Sequence, residues 1–181
     1  DLHNACFGKD NERLIRTVEE ESPDYIVLAG DMIVSDVNSD YSATVILLRE
    51  LSKKCPVYYV KGNHELRVAT HFEDYGRFWD TYKDEIKDYV TFFDNESTEL
   101  YREGYKAVRL TGLDTAPEYY QRFRRAPMES DYLERVLGKT EENTYEILAA
   151  HHPAYYPDYV KWGADLVLSG HIHGGMVRLP L

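Results

Sequence analysis

Short apolar runs recur along this chain of 181 residues, and each of them ends at a cluster of Gly, Asp, Asn or His rather than in a polar loop. Continuous apolar runs of this length that are rich in Val and Ile are typical of strands buried on both faces of a sheet. The pattern predicts four such strands, which lie at residues 25–29, 57–60, 146–150 and 165–168.

Between the first strands the apolar residues change to a helical period. One predicted helix spans residues 11–21 and a second spans residues 42–51, with Asp10 and Asp40 as their predicted N-caps. The polar clusters follow one another at intervals of about 30 residues, which is the length of a strand–helix–strand unit. We therefore expect a parallel sheet in this part of the chain, with a further strand before Asp1.

The stretch from about residue 66 to residue 143 breaks this rhythm. Three elements are predicted inside it, namely a charged amphipathic segment at 72–89, a hairpin of 99–102 and 106–113 that turns at Glu103-Gly104, and a short helix at 131–137. Residues 1–181 are thus interpreted as one domain, with a surface-facing insertion at about 66–143. This insertion is expected to form the walls of the site and to determine substrate specificity.

Composition excludes several classes of function. The chain has 21 Lys and Arg residues against 32 Asp and Glu residues, a formal net charge of −11. Because such a surface repels the phosphate backbone, non-specific nucleic-acid binding is not expected. The two cysteines, Cys6 and Cys55, form no CxxC pair and cannot build a thiolate zinc site. No apolar run reaches the roughly 18 residues that a membrane-spanning helix needs.

The polar clusters at the strand ends collect many potential metal ligands. In an open parallel sheet, ligands gather beyond the carboxyl ends of the strands, where the loops converge. The residues concerned offer oxygen and nitrogen but no sulfur, and they are Asp1, His3, Asp31, Asn63, His64, His151, His152, His171 and His173. Such a set suits Mn, Fe, Zn or Co, and it exceeds the four ligands of a tetrahedral ion. We therefore expect two divalent ions, with an Asp carboxylate as the bridge.

Five short motifs in this order resemble those of the calcineurin-like metallophosphoesterase family. They are Asp1-x-His3, Gly30-Asp31, Gly62-Asn63-His64-Glu65, His151 and Gly170-His171-x-His173. The resemblance spans the chain from end to end and implies an α/β fold, a sandwich of two mixed β-sheets flanked by helices. Because the family places a strand before its first motif and more strands after its last, the resemblance implies a fold that is incomplete at both ends.

The resemblance also implies a role for each matching residue. Asp1, His3 and His173 would bind one ion, Asn63, His151 and His171 would bind the other, and Asp31 would bridge the two. In that scheme His64 is not a ligand but stands over the site, where it donates a hydrogen bond to the phosphate or a proton to the leaving oxygen. His64 and Asp31 are thus the candidate catalytic residues. His152 competes with His151 for one role and is interpreted as a neighbour that packs or hydrogen-bonds.

These features predict a metal-dependent phosphohydrolase that cleaves a phosphomonoester, phosphodiester or pyrophosphate by a metal-bridging hydroxide, with two divalent ions of Mn, Fe or Zn. Because metal-binding His must be neutral, activity is expected to fall below about pH 6. Two alternatives stay open at this point. One is a catalytically silent scaffold of the same fold that binds partner proteins, and the other is a binding module with one structural metal ion.

The expected partner is a phosphorylated small molecule or lipid, and a membrane tether outside these residues is compatible with the sequence. Arg67, four residues after Asn63, is within reach of a substrate phosphate, but an exposed Arg at a helix start is more often a solvated charge. The basic run of Arg122, Arg124 and Arg125 is brief and is diluted by acidic neighbours. The sequence does not decide between a cytoplasmic and a membrane-anchored protein.

Overall fold

Two β-sheets organise the part of the chain that the computed structural model describes, residues 1–101, 107–121 and 126–173. Sheet A consists of β1 (Ile26–Leu28), β2 (Val57–Tyr59) and β3 (Thr91–Phe92), which lie in this order and run parallel. Sheet B consists, in order, of β4 (Ser97–Leu100), β5 (Val108–Leu113), β6 (Tyr145–Ala150) and β7 (Leu166–Leu168). In sheet B, β4 is antiparallel to β5, and the other neighbouring strands are parallel.

Seven α-helices flank these sheets within the described residues. They are α1 (Glu12–Glu21), α2 (Ser42–Ser52), α3 (Asn63–Thr70), α4 (Phe72–Tyr75), α5 (Phe78–Ile86), α6 (Tyr132–Leu137) and α7 (Tyr156–Trp162). Short 3-10 turns occupy Lys9–Asn11, Pro117–Tyr120 and Pro153–Tyr155. None of the described helices has the length and apolar character required to cross a bilayer.

Three apolar clusters join the helices and sheets into layers. The cluster around Leu48 packs α1, α2, α3 and α5 against sheet A. A second cluster, which includes Val60 and Leu110, fills the space between the two sheets. A third, around Leu148 and Tyr159, packs α6 and α7 against sheet B. Each fully buried Leu side chain contributes roughly 2 kcal/mol to the free energy of folding. These clusters therefore stabilise the packing that holds the strand ends of both sheets in a fixed relation.

The predicted α/β class, with two sheets flanked by helices, is confirmed. All four predicted strands are present, but they divide between the sheets, with β1 and β2 in sheet A and β6 and β7 in sheet B. The parallel arrangement predicted for β1 and β2 is confirmed as well. Sheet B is mixed because of its antiparallel hairpin, whereas the described strands of sheet A are all parallel.

The stretch at about 66–143 contributes to both sheets. The predicted amphipathic segment forms α4 and α5, and the predicted hairpin is formed by β4 and β5, with Leu100 opposite Val108. Its turn at Glu103-Gly104 lies outside the described residues. Since β3 pairs with β2 in sheet A and β5 pairs with β6 in sheet B, much of this stretch belongs to the sandwich itself. Its role in specificity stays a prediction.

Both predicted N-caps are wrong, because Asn11 and Tyr41 hold the N-cap positions of α1 and α2. Asp10 lies inside a 3-10 turn, and its side chain caps no helix; Asn11 takes the position before α1 instead. The side chain of Asn11 is fully buried, where its oxygen accepts from Phe7 N and its amide donates to Ala43 O, both at 2.9 Å. Asp40 lies one residue before Tyr41, and its carboxylate accepts the Ser42 N–H at 2.8 Å, so it contacts the first turn of α2 without being its N-cap.

Candidate metal centre

The predicted ligands lie where strands of both sheets end. Asp31 follows β1, Asn63 opens α3 after β2, His151 follows β6, and His171 follows β7. The first residues of the chain reach the same place, because His3 N donates to Asp31 O at 3.0 Å. The carboxyl ends of parallel strands therefore converge here from two sheets, as expected for a ligand site in an α/β fold.

Two glycines allow the loops after β1 and β2 to touch. Gly30 has a φ of +87°, and a Cβ atom placed there would lie 2.5 Å from Gly62 N and 2.8 Å from His151 Nδ1. A Cβ atom on Gly62 would likewise collide with the backbone and carboxylate of Asp31. Both positions exclude any side chain, so the two loops approach each other backbone to backbone.

Glu65 holds the loop that carries Asp31. Its carboxylate is completely buried on α3 and accepts five hydrogen bonds. The donors are the backbone N–H groups of Asp31 (2.8 Å), Met32 (2.7 Å), Ile33 (3.1 Å) and Gly62 (2.9 Å), and the hydroxyl of Tyr59 (2.7 Å). Burial, together with the negative charge of Glu65, raises the pKa of Tyr59 well above its usual value, so this hydroxyl stays a donor.

The role of Glu65 is not among the predicted site residues. The signal was present, because Glu65 is the last residue of the Gly62-Asn63-His64-Glu65 motif. What the sequence does not reveal is that its donors are mostly main-chain groups, which carry no side-chain signature. With Glu65 in place, Asp31 adopts a φ of +53°, a left-handed conformation that costs a non-glycine residue energy and that the surrounding contacts must hold.

The Asp31 carboxylate is oriented so that one oxygen faces both predicted ligand groups. Oδ1 accepts the backbone N–H of His64 at 2.8 Å. Oδ2 lies 3.2 Å from His151 Nε2 and 3.6 Å from His3 Nε2. Asp31 is 2% exposed. The geometry thus places a single carboxylate oxygen between one histidine from each group.

The first ligand group consists of Asp31, Asn63, His151 and His171. Asn63 Oδ1 lies 2.7 Å from His171 Nδ1 and 3.3 Å from His151 Nε2. His151 Nδ1 donates to Ala29 O at 2.6 Å, and because a carbonyl only accepts, this contact fixes the tautomer. Nε2 of His151 is then the nitrogen that is turned toward Asp31 and Asn63 with its lone pair.

The second ligand group consists of Asp1, His3 and His173, together with Asp31. The ligand atoms of Asp1, His3 and His173 all lie within 4.8 Å of one another, and His3 Nε2 is 3.1 Å from His173 Nε2. Asp1 Oδ1 also accepts the backbone N–H of His171 at 2.7 Å, which ties this group to the first. His171 and His173 have φ values of +72° and +49°, so the backbone bends sharply to aim both rings.

His64 stands beside the second group. Its ring centroid is 4.7 Å from that of His3, and its Nδ1 accepts the backbone N–H of Ser35 at 2.8 Å. A backbone N–H only donates, so Nδ1 of His64 is unprotonated and the neutral ring carries its proton on Nε2. His64 also belongs to a third set of atoms within 4.8 Å, with His3 and Asp31.

The chemistry of these donors fits divalent metal ions. Oxygen and imidazole nitrogen atoms are brought within contact distance of one another. Mn, Fe and Zn accept such mixed oxygen and nitrogen sets. The structure thus brings together all seven predicted ligands, Asp1, His3, Asp31, Asn63, His151, His171 and His173. Their individual roles stay predictions.

The pKa shifts at the centre favour the forms that bind metal. Burial opposes ionisation of Asp31, but the interaction with the neighbouring His151 ring and the hydrogen bond from the His64 backbone N–H outweigh it and lower the pKa of Asp31 to about 2. Burial lowers the pKa of His3 to about 4, against a smaller opposing effect of Asp31. Burial and the neighbouring His151 also lower the pKa of His171. At neutral pH the carboxylate is therefore charged and both imidazoles are neutral.

His152 lies outside both ligand groups. Its ring stacks on that of Tyr120, with centroids 5.4 Å apart and an interplanar angle of 13°, and lies 4.3 Å from the ring of His171. Its Nδ1 accepts the backbone N–H of Ala154 at 3.4 Å. These contacts support the interpretation of His152 as a packing and hydrogen-bonding neighbour of the ligands.

A pocket of about 760 Å³ opens beside the ligand groups. One wall is the exposed side of α3, from Asn63 and His64 to His71, and the opposite wall includes Tyr120 and His152. His71 is exposed, as the sequence predicts, but it lines this pocket rather than an open surface. The pocket gives a ligand direct access to Asn63, His64 and His171.

Lys61 is a second residue that sequence reasoning missed. It lies just before Gly62, and its ammonium group is 2.9 Å from Asp94 Oδ1 and 2.8 Å from Asp114 Oδ2. Asp94 follows β3 and Asp114 follows β5, so Lys61 links the ends of both sheets next to Asn63. Nothing in the sequence around Lys61 distinguishes it from a surface lysine, because its partners are more than 30 positions away.

Comparison with known proteins decides the family. The model of the family described as calcineurin-like phosphoesterase matches residues 1–175. The chain belongs to the calcineurin-like phosphoesterase family. The resemblance drawn from the five motifs is thereby confirmed.

Three of the similar proteins are bacterial. The phosphoesterase chain is 26% identical to the uncharacterized metallophosphoesterase YkuE of Bacillus subtilis, with 95% of this chain and 54% of YkuE aligned. It is 28% identical to an uncharacterized metallophosphoesterase of Aquifex aeolicus, over 98% and 62% of the two chains. It is 27% identical to the phosphodiesterase YaeI of Escherichia coli, over 90% and 53%. The chain thus spans little more than half the length of these relatives.

The buried contacts of Glu65 predict a large effect of a very small substitution. Glu65→Gln keeps the side-chain shape but turns one acceptor into an NH2 group that faces N–H donors. We expect it to lower the free energy of unfolding by about 3 kcal/mol, measured by urea denaturation of the EDTA-treated chain. The matched control is Glu20→Gln on α1, where an exposed ion pair with Arg16 spans 3.8 Å and little should change. Equal effects of the two substitutions would contradict the structural role of Glu65.

The lowered pKa of His3 predicts a pH dependence of stability. The unfolded chain takes up a proton on His3 near pH 6.5, whereas the folded chain does so only near pH 4. The stability that depends on neutral His3 is therefore complete above about pH 6.5 and is lost as the pH falls toward about 4. Urea denaturation of the EDTA-treated chain at pH 7, 5.5 and 4.5 should show this loss, and His3→Asn should show a smaller one. An identical pH dependence of both proteins would contradict it.

Proposed function

We propose that this phosphoesterase is a binuclear hydrolase, in which two divalent ions share the Asp31 carboxylate and act on a phosphomonoester, phosphodiester or pyrophosphate. The observation that supports it best is that Asp31 Oδ2 faces His151 Nε2 and His3 Nε2 at 3.2 and 3.6 Å, one from each ligand group. Family membership supports hydrolysis of a phosphate ester, and the shared oxygen supports two ions rather than one.

The two groups of residues have complementary tasks in this proposal. Asn63, His151 and His171 would hold one ion, and Asp1, His3 and His173 would hold the other. Divalent ions of Mn, Fe or Zn at such a centre act as Lewis acids on the phosphoryl group and supply a nucleophile from water at neutral pH. The Ala29 carbonyl would keep the His151 ring in the required tautomer, and Glu65 would keep Asp31 between the groups.

His64 would act on the substrate rather than on the ions. Because Ser35 N occupies Nδ1, the Nε2–H of the neutral ring is available to donate a hydrogen bond to a phosphoryl oxygen or to the leaving oxygen. The N-terminus of α3 begins at Asn63, and its partial positive charge also favours a bound phosphate. In the reaction, water oxygen bonds to phosphorus and the leaving oxygen departs with the electron pair and takes up a proton.

The substrate is proposed only as a class, a phosphorylated small molecule or lipid. The pocket beside Asn63, His64 and His171 is open and about 760 Å³ in volume, which admits a leaving group larger than a simple alcohol. The relative YaeI is named a phosphodiesterase, and this supports including diesters among the candidates. A membrane tether in the remainder of a longer protein would fit a lipid substrate.

Replacement of His64 separates its role from metal binding. His64→Ala should keep two ions per chain by elemental analysis yet lower turnover by about 100-fold or more in a panel of monoester, diester and lipid-pyrophosphate substrates with added Mn. His151→Ala should lose metal as well as activity, because it removes a predicted ligand.

Three results would count against this proposal. A wild-type chain that binds two ions but hydrolyses no member of the panel would point to a silent scaffold. A single ion per chain would point to a structural site. Unchanged turnover in His64→Ala would remove the role assigned to that ring.

A further inference from the structure

The pocket beside the metal centre differs in charge from the rest of the chain. The chain as a whole has a net charge of −11, yet among the described residues that line the pocket there is no Asp or Glu. The lining includes one arginine, Arg67, and four histidines, namely His64, His71, His152 and His171. The described walls of this pocket therefore carry no negative charge that would repel an anion, although the protein as a whole is acidic.

Arg67 is placed to contact whatever extends from the reacting phosphate. It follows Asn63 by four positions in α3, so the two side chains lie on one face of the helix about 6 Å apart along its axis. Glu65 and Val68 are buried on the other side of this helix, which fixes its rotation. Arg67 thus projects from the same wall as the ligand Asn63, one turn further from the centre.

The guanidinium group of Arg67 has no protein partner in the part of the chain that the structure describes. Across residues 1–101, 107–121 and 126–173, its side chain is found in neither a hydrogen bond nor an ion pair, whereas Arg49, Arg109 and Arg135 all contact carboxylates. The nearby His71 ring turns its Nδ1 to Arg67 O at 3.2 Å and to Thr70 Oγ1 at 3.0 Å. A carbonyl only accepts, so Nδ1 of His71 is the donor in this contact with the Arg67 main chain. The Arg67 side chain itself lines the pocket.

We propose that Arg67 binds a second phosphoryl group, carried by the leaving group of the substrate about one helical turn from the reacting phosphorus. This rests on the proposed function, because it assumes that the reacting phosphate lies at Asn63 and His64. A planar guanidinium forms two parallel hydrogen bonds with phosphate oxygens, which makes Arg the side chain best suited to this task. The substrate class is then a bisphosphorylated compound rather than a simple monoester.

Binding of two matched phosphonates tests this subsite without requiring turnover. Propane-1,3-diphosphonate and propylphosphonate differ only in the second phosphonate, and the three-carbon spacer sets the two phosphorus atoms about one helical turn apart. With Mn-loaded protein at about 0.15 M salt, calorimetry should show about tenfold tighter binding of the diphosphonate. Arg67→Gln should bring the ratio of the two dissociation constants close to one, and Arg67→Lys should keep part of the preference.

The matched control is Arg77→Gln, since Arg77 is 77% exposed and pairs only with Asp80 in the described structure, away from the pocket. This variant should keep the full preference. Wild-type protein without a preference, or an Arg67→Gln variant that keeps it, overturns the subsite.

Phosphate release from propane-1,3-diyl bisphosphate and from propyl phosphate separates the two levels of the proposal. We expect kcat/KM to favour the bisphosphate about tenfold in the wild type and not in Arg67→Gln. If neither of these esters and no member of the monoester, diester and lipid-pyrophosphate panel is hydrolysed while the calorimetric preference depends on Arg67, the hydrolase proposal fails and the subsite stands. If both are hydrolysed equally and binding shows no preference, the hydrolase proposal stands and the subsite fails.

Discussion

A single buried carboxylate, that of Glu65, determines the shape of the candidate metal centre. Its five donors come from the loop after β1, from the loop after β2 and from Tyr59 in β2. An ionised group without solvent is stable only when its charge is met by well-oriented donors, and here most of these donors are backbone amides. The loop that carries Asp31 therefore cannot move without leaving a buried charge unsatisfied. This constraint holds Asp31 in a left-handed conformation that it would not otherwise adopt.

The position of Asp31 in turn organises the ligands from both sheets. Its Oδ1 is held by the His64 amide, so Oδ2 is left to face His3 on one side and His151 on the other. The cluster between the sheets, which includes Val60 and Leu110, keeps the ends of β2 and β5 at a constant separation. Lys61 adds an electrostatic link between the same ends through Asp94 and Asp114. The apolar cluster between the sheets and the ion pairs of Lys61 thus both stabilise the position of the backbone at the ends of β2 and β5.

Much of this arrangement could be predicted from the sequence because its signals are local. The strand ends, the ligand residues and the glycines that let the loops approach all appear as short motifs, and the structure brings them together. The division of the strands between two sheets was implied only by the family resemblance, since β2 and β6 look alike as apolar runs. Asp10 failed as a cap because Asn11, one position later, is anchored by tertiary hydrogen bonds. Contacts such as those of Glu65 and Lys61 join distant residues, and no spacing rule reveals them.

The central claim is that one oxygen of Asp31 links two metal ions. Loading the chain with Mn and recording low-temperature electron paramagnetic resonance tests this most directly, because two manganese ions about 3.5 to 4 Å apart with a shared ligand couple magnetically. The account predicts two ions per chain and the broad, temperature-dependent signal of a coupled pair. The sharp hyperfine signal of isolated manganese at full loading would contradict it.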